Sequence, residues 1–174
     1  IAVKEIGSIP YSYIKDELDS VITVSDTSIE QSIAMLALTE KVVVEGAGAV
    51  GLAAIIENQK KFKNKNVGII LCGGNIDSKI LSSILMRDLV RARQITTMTI
   101  TMPDKPGQLH IISKICANSG ANVLRVEHNR FTMDLSASLA KLDITIETQN
   151  EDHLTKIINL IEKEGLPVTL DDNN

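Results

Sequence analysis

Residues 140–147 read Ala-Lys-Leu-Asp-Ile-Thr-Ile-Glu, an unbroken alternation of apolar and polar side chains. Successive side chains of a β-strand point to opposite faces of the sheet, so this pattern predicts a strand with one buried and one exposed face. Residues 97–102 alternate threonine with Met98, Ile100 and Met102. They predict a second strand of the same kind.

Two helices and two further strands are predicted around this pair. One helix is indicated by Leu109, Ile112, Ile115 and Cys116 and ends at Gly120, and a second is indicated by Leu154, Ile157, Ile158 and Ile161 and ends at Gly165. Leu124 and Val126 mark one additional strand, and Leu166, Val168 and Leu170 mark the other. The order βαββαβ predicts a ferredoxin-like domain, in which two helices cover one face of a four-stranded antiparallel sheet.

The preceding residues 1–94 alternate helical and strand signals, which is typical of a parallel α/β sheet. The apolar runs 21–24 and 67–71 predict strands, and Asn75 is a candidate N-cap for the helix that follows. Ser25 and Thr27 compete as the N-cap of an earlier helix. We therefore expect an α/β protein with a partial parallel-sheet domain in residues 1–94, a ferredoxin-like domain in residues 95–171 and a short tail at 172–174.

The composition limits the class of protein. The 174 residues are 44% hydrophobic and 23% charged, with a net charge of −4 and a mean hydropathy of +0.10. These values are typical of a globular protein of one large or two small domains, and the acidic excess argues against nucleic-acid and membrane partners. No apolar stretch approaches the roughly 18 residues that a membrane span needs.

Cysteine and histidine are sparse. Cys72 and Cys116 lie far apart in the sequence, and the three histidines are isolated, so we expect neither a disulfide framework nor a metal site. A reducing cytoplasm fits this usage best. The sequence opens at Ile1 without a capping or turn signal, and we expect it to be part of a longer protein.

Residues 46–51, Gly-Ala-Gly-Ala-Val-Gly, satisfy the G-x-G-x-x-G pattern of dinucleotide-binding folds. That pattern requires an acidic residue about 20 positions later, at the tip of the next strand, to bind a ribose hydroxyl. The sequence has Cys72-Gly73-Gly74-Asn75 there instead. A nicotinamide cofactor is therefore disfavoured. The glycines could equally allow a helix N-terminus to approach a neighbouring segment closely.

Two of these segments resemble motifs of the fold type II, or β-family, pyridoxal-phosphate enzymes, and of the threonine ammonia-lyase (threonine dehydratase) family in particular. They are residues 44–49, Val-Glu-Gly-Ala-Gly-Ala, and residues 71–77, Leu-Cys-Gly-Gly-Asn-Ile-Asp; residues 21–26 resemble the same family. Residues 104–109 and 120–123 resemble the signature of the ACT domain, a regulatory domain that such enzymes often carry. The resemblance thus covers the whole chain.

The resemblance implies roles for five residues. Cys72 would lie beneath the pyridine nitrogen of pyridoxal phosphate, where most relatives have serine, and Gly73, Gly74 and Gly46 would let the backbone approach the cofactor. Glu45 would face the active site. A thiol does not drive pyridine protonation as a carboxylate would, which favours β-elimination. Alternatively, Cys72 is a small buried residue at a strand end and Glu45 a solvated turn residue.

The resemblance also implies a reaction, the deamination of L-threonine to 2-oxobutanoate and ammonia that begins isoleucine biosynthesis. The family's Schiff-base lysine motif and Gly-rich phosphate loop do not occur in residues 1–174. We therefore expect this chain alone to be inactive and to bind no pyridoxal phosphate, although its parent enzyme uses that cofactor.

The ACT-like segment suggests an effector site. Pro106 and Gly107 precede a helix whose free N–H groups can bind a carboxylate, and Asn122 offers an amide to the head group of an amino acid. Such pockets usually form between two ACT domains, so we expect a homo-oligomer. The same residues could form only a turn followed by a helix.

Three other functions stay open from the sequence. The chain could be a non-catalytic amino-acid-binding module, a relative of serine dehydratase or serine racemase, or a fragment of an ACT-bearing NAD-dependent dehydrogenase. The last is the least favoured because the acidic residue is missing after the glycines.

Overall fold

The computed structural model describes residues 4–130 and 135–170, so the expected tail at 172–174 lies outside the described residues. The chain divides into two compact units between Leu85 and Met86. The helices are α1 Ser8–Ile14, α2 Asp26–Met35, α3 Gly46–Glu57, α4 Gln59–Phe62, α5 Ser78–Arg91, α6 Gln108–Ser119 and α7 Glu151–Lys163, and the strands are β1 Ile95–Pro103, β2 Asn122–Asn129, β3 Leu139–Glu147 and β4 Val168–Leu170.

The second unit has the predicted ferredoxin-like topology. Its four strands lie in the order β2-β3-β1-β4, and each neighbouring pair is antiparallel. The central pair, β1 and β3, is in register over nine residues, from Ile95 opposite Glu147 to Pro103 opposite Leu139. The βαββαβ prediction is therefore confirmed.

The alternation of residues along β1 and β3 separates the two faces of this sheet. One face is buried against α6 and α7, and its core comprises Met98, Ile100, Met102, Ile112, Cys116, Leu142, Ile144, Ile146, Leu154, Ile157, Ile161 and Leu166. Burial raises the pKa of the Cys116 thiol. The other face is polar: the hydroxyls of Thr97 and Thr145 are 2.8 Å apart, and the Thr99 hydroxyl donates to Asp143 at 2.6 Å.

The first unit is built around α2 and α3. Its buried core comprises Ile29, Ile33, Ala34, Leu36, Val44, Ala49, Ala53 and Ile84. Ala49 and Ala53 are fully buried, and their small side chains allow α3 to pack closely. A π-helical turn, Leu36–Glu40, extends α2 and ends at Lys41, whose φ is 60°.

The strands predicted at 21–24 and 67–71 are not formed. Within described residues 4–85 no segment is hydrogen-bonded into a sheet, and both runs are largely exposed, with Val21 at 81% and Ile70 at 86% of full accessibility. The physical reason is that a strand requires a neighbour to complete its backbone hydrogen bonds, and these runs meet none in that part of the chain.

The structure also decides how two helices begin. Ser25 is the N-cap of α2, because its hydroxyl accepts from Ser28 N at 3.2 Å, so the alternative N-cap at Thr27 is wrong. Asp77, rather than Asn75, supplies the acceptor at the start of α5: its Oδ1 accepts from Lys79 N at 2.8 Å. The Asn75 prediction is wrong by two positions, since the helix begins later than expected.

The N-cap of α2 is tied to the end of α3 by Glu57. Its carboxylate accepts from the Ser25 hydroxyl at 2.6 Å and from Ser25 N at 2.9 Å. Hydrogen bonds from the Ser25 hydroxyl, from Ser28 and from the Ser25 backbone lower the pKa of Glu57 from its ordinary value. The ionised carboxylate is therefore the form that stabilises this junction.

We predict that Glu57→Gln lowers the melting temperature at neutral pH but not in acid. A lowered folded-state pKa contributes stability above the unfolded-state value, and this contribution is lost as the pH falls through the folded value. Thermal melts of wild type and variant should thus differ at pH 7 and converge as the pH falls below the ordinary glutamate pKa and through the lowered pKa of folded Glu57. Glu17→Gln, at an exposed carboxylate, is the control. A difference that persisted unchanged into acid would contradict the role of the carboxylate.

Candidate functional site

The two motifs predicted to bind the cofactor meet in the first unit. Glu45 N donates to the Gly73 carbonyl oxygen at 2.8 Å, which joins the segment before α3 to the Cys-Gly-Gly turn. Gly73 has a φ of 72°, and a Cβ built on it would lie 2.6 Å from Glu45 Cδ and 2.8 Å from Glu45 Cγ. The Glu45 side chain therefore lies directly against the Gly73 backbone.

Two glycines in the first two turns of α3 allow a neighbouring segment to approach the helix closely. A Cβ on Gly48 would collide with the Cys72 carbonyl oxygen and lie 3.1 Å from its carbonyl carbon, and a Cβ on Gly51 would lie 2.5 Å from Ile69 Cγ2. These contacts match the expectation that the glycines let α3 approach a neighbouring segment. They also fix Cys72 and Gly73 beside the N-terminus of the helix.

A cavity of about 460 Å³ lies beside this contact. Isoleucine side chains line it together with four carboxylic acids, Asp26, Glu30, Glu45 and Asp77, and with Gly46 and Asn75. Of the predicted cofactor and catalytic residues, the structure thus brings Glu45 and Gly46 to the cavity. Cys72, Gly73 and Gly74 are exposed and lie outside its lining.

The sequence reasoning missed three residues of this cavity, Asp26, Glu30 and Asp77. Two of them stand where a helix begins, Asp26 in the first turn of α2 and Asp77 just before α5. Acidic residues are common there because they interact favourably with the helix dipole, so their presence alone gave no functional signal. Their convergence on one cavity depends on how α2 and α5 are placed.

The exposed Cys72 turn fits one end of a pyridoxal-phosphate ring. The Cys72 thiol is accessible as a weak donor, and Gly74 is exposed and has no side chain to obstruct a ligand. The cavity wall bears acidic and no basic side chains, so it does not supply a cation for the phosphate group. The residues present therefore fit the ring and not the phosphate.

In the second unit, Pro106 and Gly107 are exposed and immediately precede α6, and Gly107 has a φ of 94°. Asn122 is the first residue of β2, and its side-chain amide donates to Glu147 at 3.4 Å. Asn122 lies opposite Glu147, whereas Gly107 follows the other end of β1. The structure thus places Gly107 and Asn122 at opposite ends of one sheet.

The described residues contain no group of three or more His, Cys, Asp or Glu side chains that could hold a metal ion. Among the helices in that part of the chain, none is long and apolar enough to cross a membrane.

Comparison with known proteins supports the pyridoxal-phosphate motifs. Residues 1–73 match the family model described as pyridoxal-phosphate dependent enzyme. The chain is 37% identical to an L-threonine ammonia-lyase of Thermotoga maritima over 171 residues, which is 98% of this chain and 42% of that protein. It is 32% identical to an L-threonine ammonia-lyase of Geobacter sulfurreducens over 95% of this chain and 41% of that protein.

A shorter match is to a serine racemase of Schizosaccharomyces pombe, 38% identical over 42% of this chain and 23% of that protein. The chain therefore spans about two fifths of the length of the threonine ammonia-lyases that it matches. Its resemblance to the C-terminal part of that family is confirmed, as is the α/β fold with a ferredoxin-like second half.

We predict that Gly73→Ala destabilises the first unit by about 1–3 kcal/mol, because alanine at a φ of 72° is strained and its Cβ meets Glu45. Gly68→Ala is the matched control, since a Cβ there has no heavy atom within 4 Å. Urea denaturation should show a smaller loss for Gly73→Ala in a Glu45→Ala background. An equal loss in both backgrounds would show that the Glu45 side chain does not contact Gly73.

Proposed function

We propose that this chain is the C-terminal part of a threonine ammonia-lyase, the family to which 98% of its sequence is similar. In this proposal residues 1–94 complete the pyridoxal-phosphate catalytic domain and residues 95–171 form an ACT regulatory domain. The observation that carries the proposal is the alignment of both halves, in order, with one L-threonine ammonia-lyase. The family match to residues 1–73 and the βαββαβ topology support the two halves independently.

The parent enzyme would convert L-threonine to 2-oxobutanoate and ammonia. Pyridoxal phosphate, when bound, supplies an electron sink for breaking bonds at the α-carbon of an amino acid. Cys72 would donate a weak hydrogen bond to the ring nitrogen, and Gly73, Gly74 and Gly46 would let the backbone approach the cofactor. Because a thiol leaves the ring nitrogen unprotonated, elimination of the β-hydroxyl is favoured over transamination.

Glu45 is the proposed catalytic side chain of this part. It lines the cavity, and its position is set by the backbone bond to Gly73 and by the contact of its carboxylate and Cγ with that residue. Its carboxylate can accept a proton or a hydrogen bond from a group bound in the cavity.

We place the protein in the cytoplasm, where thiols such as that of Cys72 stay reduced.

The ACT domain is proposed to bind an amino-acid effector between two copies. Gly107 and Asn122 lie at opposite ends of one sheet, so a single copy cannot present both to one small ligand. β2 is an edge strand, with Leu124 exposed at 48%. Antiparallel pairing of two β2 edges would bring Gly107 of one copy towards Asn122 of the other and remove both free edges.

A second candidate is a serine racemase or serine dehydratase activity, favoured by the match of part of the chain to a serine racemase. The match to the Thermotoga maritima threonine ammonia-lyase covers 98% of this chain, whereas the match to the serine racemase covers 42%. We therefore prefer threonine deamination. Turnover of L-threonine against L-serine by the full-length parent separates the two.

The full-length parent should form 2-oxobutanoate from L-threonine, while the 174-residue chain alone should form none and show no pyridoxal absorbance. In the parent, Cys72→Ser should keep elimination, and Cys72→Asp should slow it by about tenfold or more, because a carboxylate stabilises the protonated form of the ring nitrogen. Product formation by the chain alone would contradict the proposed need for an additional segment. Equal rates and product ratios for Cys72→Asp and wild type would contradict the proposed hydrogen bond between Cys72 and the ring nitrogen.

The shared effector site can be tested by mixing two defective variants, Gly107→Asp and Asn122→Ala. Each alone should lose binding of isoleucine, valine, threonine or serine in isothermal titration, because every site of either homodimer lacks one contributor. After joint refolding, about a quarter of the sites should recover, since random pairing leaves one intact site in each mixed dimer. No recovery, with dimers intact, would assign both residues to sites within one copy.

A further inference from the structure

His153 bridges two segments of the second unit. Its Nε2 lies 2.8 Å from the Ser119 carbonyl oxygen, at the last residue of α6, and its Nδ1 lies 3.2 Å from Gln149 N. The backbone of His153 is itself held, because its N–H donates to the Asn150 side chain that caps α7. The ring is thus anchored at one end of α7 and reaches the end of α6.

These two contacts admit one neutral tautomer. A carbonyl oxygen only accepts, so Nε2 must carry the proton, and a backbone N–H only donates, so Nδ1 must be the unprotonated acceptor. The ring therefore acts as a directional bridge that accepts from Gln149 and donates to Ser119. The donated bond also satisfies one of the last carbonyl groups of α6, which have no partner within the helix.

The Gln149 end of this bridge is fixed. Thr148 N donates to the Gln94 carbonyl at 2.8 Å, and the Gln94 side-chain amide donates to the Gln149 carbonyl at 3.2 Å. The Thr148 hydroxyl adds a bond of 2.7 Å to the Arg93 carbonyl. Because the segment after β3 is tied to the start of β1, the imidazole is oriented by a fixed peptide rather than by a loose loop.

The Ser119 end of this bridge is connected to Asn122 by a short turn. Gly120 adopts a left-handed conformation, and Gly120 N and Ala121 N donate to carbonyls of α6 at 3.1 and 2.9 Å. Asn122 follows at the first position of β2. The orientation of the Ser119 peptide thus sets the turn from which the Asn122 side chain projects, only three residues away.

We propose that His153 is a positioning residue for the effector site: by holding the Ser119 carbonyl it sets the turn that presents Asn122 to an amino-acid ligand. The inference rests on the proposed effector role of Asn122 and assigns a residue that would not touch the ligand. Effector affinity would then depend on the bond to Ser119 and not on the bond to Gln149.

Two substitutions separate these bonds. In His153→Gln the amide nitrogen can occupy the position of Nε2 and still donate to Ser119, whereas the acceptor towards Gln149 is lost. In His153→Asn the shorter side chain retains an acceptor near the position of Nδ1 and cannot reach Ser119. Each variant loses one of the two bonds, so a merely structural role for His153 would affect both to a similar extent.

The test uses the full 174-residue chain and measures two quantities. Isothermal titration with isoleucine, valine, threonine and serine should give an affinity about fivefold or more weaker for His153→Asn and within about twofold of wild type for His153→Gln. Amide exchange at Gly120 and Ala121 should accelerate in His153→Asn alone. Wild-type exchange and affinity in His153→Asn, or equal losses in both variants, would overturn the positioning role.

A result that contradicts the proposed effector site differs from one that contradicts the role of His153. If wild type binds none of the four amino acids, the proposed effector site is contradicted, while the exchange rates at Gly120 and Ala121 still decide whether His153 fixes the turn. If wild type binds and the two variants do not differ, the effector site stands and His153 has no positioning role.

Discussion

The nine-residue antiparallel pairing of β1 with β3 is the constraint on which the second unit depends. Residues 97–102 and 140–147 alternate apolar and polar side chains in phase, so the register that pairs Ile100 with Leu142 puts the apolar side chains of both segments on one face. A shift of one residue would expose that face and bury Asp143. The two helices must then cover the apolar side, and β2 and β4 can add only at the outer edges.

Period-two alternation is a local signal, and this is why the second unit could be predicted from the sequence. Residues 140–147 alternate without interruption, and their faces follow from the chain itself. The run at 67–71 is apolar throughout. This composition is compatible with burial, but it does not indicate which segment would pair with the run as a neighbouring strand. Whether such a run becomes a strand depends on segments distant in sequence, and here Ile70 stays exposed. The incorrect prediction of Asn75 as an N-cap has a local cause, since Asp77 offers the same type of acceptor two residues later.

The candidate site was predictable in part. The motifs around Glu45 and Cys72 indicated two segments with a shared function, and the structure joins them through Glu45 N and the Gly73 carbonyl. The spacing of the glycines could not distinguish a dinucleotide-binding turn from close packing of a helix, because both structures require residues without a side chain at these positions. The contacts of Gly48 with Cys72 and of Gly51 with Ile69 show the packing role. His153 gave no signal because both of its partners are backbone groups, which no side-chain motif encodes.

The acidity of the cavity limits which part of a cofactor its lining residues can bind. Four carboxylic acids line it without a lysine, arginine or histidine, and a phosphate dianion placed among them would be repelled and left without charge-assisted partners. A phosphate group therefore needs a binding segment other than this wall. The ring end makes weaker demands, an accessible weak donor and backbone without side chains, and the Cys72-Gly73-Gly74 turn meets them. The described residues thus meet the demands of the ring end and not those of the phosphate group.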